Sequence, residues 1–108
     1  MKQYNIMGGI DEINNNFEVK KGVLDGLIND NYDSIVKRGL ITPQTTKQDF
    51  LNKLFEEVGE FEEVFVEHGM IDAEELADII LVCLNISKHY NIDIEEELKN
   101  KIKVNFNR

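Results

Sequence analysis

The chain has 108 residues, one cysteine, one proline and a shortage of positive charge: 12 Lys and Arg stand against 21 Asp and Glu. A single cysteine excludes a disulfide within the chain. Cys83 falls inside an apolar run, where it reads as a small hydrophobe in a core. That usage, and an opening stretch MKQYNIMGGI without an apolar h-region, point to the cytoplasm. No apolar run approaches the roughly 18 to 20 residues of a membrane span, so a membrane partner is not expected. The net charge of −9 opposes general binding to nucleic acid or anionic lipid. A polyphosphate would need cations or a local basic patch. Strand signals are also missing: there is no sustained period-two alternation and no Asn-Gly or Asp-Gly turn between strand-like runs.

What is present is helical periodicity. We read residues 1–108 as one all-α domain, with residues 1–20 an uncertain N-terminal segment that includes a short helix around Ile10 to Phe17. A first long helix is expected from Val23 to Arg38, with Val23, Leu24, Leu27, Ile28, Ile35 and Val36 inward and Gly39 as its stop. The residue before Pro43 is pushed out of the α region, so LITPQT is a loop. A second helix starts near Thr46. Its cap is either Thr46 with Asp49 or Thr45 with Gln48, and only the latter has the usual partner type. Leu51, Leu54, Phe55, Val58, Phe61, Glu62 and Phe65 recur at helical steps, and Gly69 suits the C-terminal stop. Asp72 with Glu75, and Asp93 with Glu96, have capping-box spacing for a third helix to about Tyr90 and a fourth to about Phe106. Short connections predict an antiparallel four-helix-type bundle. The third helix is apolar around nearly its whole circumference, so it is expected at the centre or in a subunit interface.

Within that third helix, EELADIILVCLNI, only Asp78 and Asn85 interrupt the apolar run from Leu76 onward. A lone buried carboxylate is costly unless paired. Glu75 and Asp78 lie about 60° apart on one helical face, and Glu57 and Glu60 share the same spacing on the second helix. If the two helices pack side by side, a point between them sees four carboxylates, which cannot all stay ionised without positive charge. Oxygen-only donors suit Mg²⁺ first and Mn²⁺ second. The plainer alternatives are a solvated acidic face on the second helix, a capping role for Glu75, and a buried ion pair of Asp78 with Lys53 or Arg108.

The order EEVGE (Glu56, Glu57, Glu60), then ELAD (Glu75, Asp78), then KIKVNFNR with Lys101, Asn105 and Arg108, resembles the all-α nucleoside triphosphate pyrophosphohydrolases, and most of all MazG-like proteins. The resemblance covers roughly Lys47 to Arg108. It implies Mg²⁺-dependent hydrolysis of a nucleoside triphosphate to the monophosphate and pyrophosphate, in a bundle that works as a homodimer or homotetramer. It implies metal ligands Glu57, Glu60, Glu75 and Asp78. Glu56 is then the first candidate to orient or deprotonate water. Lys101, Asn105 and Arg108 would present a phosphate-binding face, or simply complement a helix C-terminus. Lys53 and Asn85 are further substrate-binding candidates, with a salt bridge and a helix–helix hydrogen bond as their plainer roles. A nonenzymatic helical module binding a metal ion or a protein is the competing reading.

Overall fold

The computed structural model describes residues 22–108. The short helix expected around Ile10 to Phe17 lies outside the described residues. Those residues form four helices and no strand: α1 (Gly22–Lys37), α2 (Lys47–His68), α3 (Ala73–His89) and α4 (Ile94–Phe106). No helix among them is long and apolar enough to cross a membrane.

The helix ends follow local chemistry. Gly39 takes φ 76°, the left-handed conformation a Cβ disfavours. Its N–H donates to Val36 and the N–H of Leu40 to Ile35, which closes the last turn of α1. Thr46 caps α2, and its pairing with Asp49 is reciprocal: each side chain accepts from the other's backbone N–H. Aspartate therefore serves in place of the usual glutamate or glutamine. The hydrogen bond from Thr46 N–H first, and then that from the Thr46 side chain, hold the Asp49 carboxyl below its ordinary pKa. Gly69, at φ 65°, ends α2 by donating to Phe65. Asp72 and Asp93 cap α3 and α4 through Glu75 and Glu96 N–H. After α3, Asn91 adopts φ 56° while Ile92 N–H reaches back to Ser87, a turn asparagine tolerates better than most residues.

Helix α3 is the element against which both α1 and α2 pack. On α2 the inward positions are Phe50, Leu54, Glu57, Phe61 and Val64, at alternating steps of four and three. Phe50 is buried and its ring meets His89 and Tyr90 at the far end of α3. Burial of such a ring stabilises by roughly 1.5–3 kcal/mol. The α1–α3 joint is largely polar. Asn31 Nδ2 donates to Asn85 Oδ1 at 2.8 Å, Tyr32 Oη and His89 Nδ1 lie 2.9 Å apart, and Lys88 Nζ donates to Asn29 at 2.8 Å.

Three expectations are corrected here. The inner side of α1 is narrower than its periodicity suggested, because Val23, Leu27 and Val36 are exposed and only Leu24, Ile28 and Ile35 are partly covered. The stripe on α2 is rotated: Leu51, Phe55, Val58 and Phe65 face outward, and Phe55 is 63% exposed. Helix α3 is central, but its covered arc is limited to the side met by α1 and α2. Leu76, Ile80 (51% exposed) and Cys83 lie open, so Cys83 is not a core residue. α4 hardly touches the other helices, buries no residue and ends with Phe106 86% exposed.

Candidate metal centre and cleft

Position 57 is an inward seam position of α2, where the sequence places a carboxylate rather than an aliphatic side chain. Glu57 is accordingly only 7% exposed. Its Oε2 accepts from Lys53 Nζ at 3.0 Å, one turn earlier on the same helix, while its Oε1 is buried without a hydrogen-bond partner. Across the seam, Oε1 of Glu75 is also buried and unpartnered. Two orphaned carboxylate oxygens in one small region are costly unless a cation meets them.

The surrounding carboxylates converge in two overlapping groups. Oxygens of Glu57, Glu75 and Asp78 lie within 4.8 Å of one another, and so do oxygens of Glu56, Glu57 and Glu60. Glu57 belongs to both. Burial first, then the charges of Glu60, Asp78, Asp72 and Glu57, push the Glu75 carboxyl above its ordinary pKa. Lys53 is held above its usual value chiefly by the hydrogen bond to Glu57. It also stands 3.6 Å from Glu56.

Asp78 is exposed. Its place in an apolar segment reflects the open arc of α3, not burial, and it pairs with neither Lys53 nor Arg108. The donor set, all carboxylate oxygen with two unmet buried atoms, fits a hard divalent ion. Glu57, Glu75 and Asp78 would hold it from two helices, with Glu56 and Glu60 beside them.

Of these acids all but Glu75 line a cleft of about 610 Å³. Its acidic end carries Lys53, Glu56, Glu57, Glu60 and Asp78. Further along, Asn85 lines it, 7% exposed and bonded to Asn31, with Ile35 and Leu81 as apolar wall. Asn85 thus joins the acidic residues in one cavity. Lys101, Asn105 and Arg108 do not line it; they are exposed, on α4 and just beyond its end. The cation that does line it besides Lys53 is Arg38, on the turn after α1. Arg38 and Asn31 were not singled out from sequence. His89 is half-buried among Tyr32, Phe50 and Tyr90. His68 is exposed.

Comparison with protein-family models, with curated proteins and with solved structures gives no match to the chain. The functional reading therefore rests on the residues themselves.

Proposed function

We propose that the chain hydrolyses a nucleoside or deoxynucleoside triphosphate between the α- and β-phosphates, releasing the monophosphate and pyrophosphate, as a cytoplasmic house-cleaning enzyme. The observation that carries this reading is the pair of buried, unpartnered oxygens on Glu57 and Glu75, grouped with Asp78, where Glu57 and Asp78 line a cleft that also holds two cations. The resemblance of the acidic motifs and the basic tail to MazG-like pyrophosphohydrolases supports it.

Glu57, Glu75 and Asp78 would hold Mg²⁺ or Mn²⁺, and the ion would offset phosphate charge and orient the anhydride. The protein's own groups do the rest. Glu56, exposed at the cleft edge, accepts the proton of the attacking water. Lys53 and Arg38, which line the same cleft, meet the phosphate oxygens. Water oxygen bonds to the α-phosphorus and pyrophosphate leaves with the bridging oxygen.

The same reading takes α2 and α3 as an antiparallel pair whose open face is covered by a second copy in a dimer or tetramer. Leu51, Phe55, Val58, Phe65, Leu76 and Ile80 are large apolar side chains left exposed on these two helices, the kind of surface that marks an interaction site. Lys101, Asn105 and Arg108 would then serve a neighbour's cleft. Pyrophosphate and monophosphate release from a panel of nucleotides with Mg²⁺ tests the activity. A folded, metal-loaded protein that cleaves none of them leaves the second reading, a nonenzymatic module that binds a metal ion or a protein, which the same open face favours.

A further inference from the structure

We propose that the Asn31–Asn85 pair is the base-recognition end of the cleft, so that the ligand is a nucleotide held by its nucleobase as well as by its phosphates. This rests on the phosphate reading of the acidic end and extends it to the other end of the same cavity.

Asn85 sits where α3 is most buried: Val82, Leu84 and Ser87 around it are all covered. An aliphatic residue would pack there at less cost, so the amide needs a reason. The bond from Asn31 uses only one acceptor site of the Asn85 amide. An amide side chain has two donors and an acceptor with two lone pairs. With Asn31 Nδ2 donating to Asn85 Oδ1, the Nδ2 of Asn85 and the Oδ1 of Asn31 have no protein partner among the described residues. Both side chains line the cleft. The pair therefore offers one donor and one acceptor side by side, the complement of the adjacent acceptor and donor on a nucleobase edge. A phosphate would use only the donor.

The spacing suits such a ligand. Asn85 follows Asp78 by about two helical turns, roughly 10 Å along the axis. Ile35 and Leu81 form apolar wall in the same cavity, suited to a flat ring. Sugar and α-phosphate can span the interval.

Binding measured without turnover tests this. Wild type, Asn85→Asp and Asn31→Ala would be titrated calorimetrically, in Mg²⁺, with inorganic tripolyphosphate and with an α,β-imido deoxynucleoside triphosphate. Wild type should bind the nucleotide about tenfold or more tighter than tripolyphosphate. Each variant should lose most of that preference while tripolyphosphate affinity stays unchanged. Asn31 is only half-buried on α1, so Asn31→Ala remains decisive if Asn85→Asp does not fold. The proposal is overturned if wild type shows no preference for the nucleotide, or if the preference survives in the folded variants. In either case tripolyphosphate binding would keep the phosphate reading alive. Wild type that binds neither probe would remove both.

Discussion

The ammonium of Lys53 lies 3.0 Å from Oε2 of Glu57, while Oε1 of the same carboxylate is buried with no partner. Half of one side chain is neutralised from within the helix, and half is left for something else. Lys53→Met removes the internal cation. Because Lys53 is half-exposed, the metal-free protein should lose only about 1 kcal/mol, a fall in Tm of roughly 4–8 °C for a domain of this size. Saturating Mg²⁺ should close the gap. Melting curves with and without the ion check this; an equal fall in both conditions would detach Lys53 from the metal site.

Glu75→Gln removes a charge that the metal-free fold tolerates poorly. Without metal its Tm should equal or exceed that of wild type. Affinity for Mn²⁺, followed by calorimetry or electron spin resonance, should drop by at least the roughly 10- to 100-fold that loss of an outer-shell partner costs. A destabilised metal-free variant with intact Mn²⁺ binding would mean Glu75 is a structural residue.

The pH dependence has a definite sign. The Glu75 pKa is raised in the folded state, so the folded protein holds this proton more tightly than the unfolded chain. Its contribution is full below the ordinary glutamate pKa of about 4.3 and is lost as pH rises through the raised value. Asp49 acts oppositely, since its lowered pKa favours folding above the ordinary aspartate value. The difference in Tm between wild type and Glu75→Gln isolates the first effect. Metal-free, wild type should lose ground to the variant from acid to neutral pH. With Mn²⁺ the order should invert, because the ion needs the deprotonated acid. A flat difference curve in the metal-free protein would contradict the burial of Glu75.

Gly59 lies within α2, where glycine costs about 1 kcal/mol relative to alanine. A close approach by another helix or by substrate would justify it, yet a Cβ there meets nothing within 4 Å. Gly59→Ala should therefore stabilise the single chain by about 0.5–1 kcal/mol, read from urea melts at low protein concentration. A loss of stability would reveal a neighbour at that point in the assembled protein.

Phe55→Glu and Ile80→Glu place charge on the open sides of α2 and α3. If a second copy covers them, light scattering after size exclusion should show wild type as a dimer or larger and both variants as monomers. Wild type that stays monomeric at tens of micromolar would remove self-association from the functional reading.

The helices were legible because each has a chemical start or stop: Thr46, Asp72 and Asp93 at the beginnings, Gly39, Gly69 and Asn91 at the ends. The acidic pairs were legible because Glu57 with Glu60, and Glu75 with Asp78, each share one helical face; that Glu57, Glu75 and Asp78 meet depends on how α2 packs on α3. Facing was not. Leu51, Phe55, Val58 and Phe65 form as regular a stripe as Phe50, Leu54, Phe61 and Val64, and periodicity alone cannot say which one meets α3. The second stripe contains Glu57, and a search for apolar repeats passes over it for that reason. Asn31 and Arg38 were invisible because their role depends on how α1 crosses α3, a long-range relation that no local pattern encodes.

A glutamate in the seam between two helices also limits what the molecule can become. Leucine at position 57 would fill the gap between α2 and α3, and exchanges of that kind for buried ions are often neutral or stabilising by about 1–4 kcal/mol. Selection for heat tolerance alone would thus drift toward a sturdier protein with its central ligand erased. Keeping the carboxylate means accepting a softer molecule, so on the metal reading proposed above the stability this chain forgoes at one codon measures what holding the ion is worth to the cell.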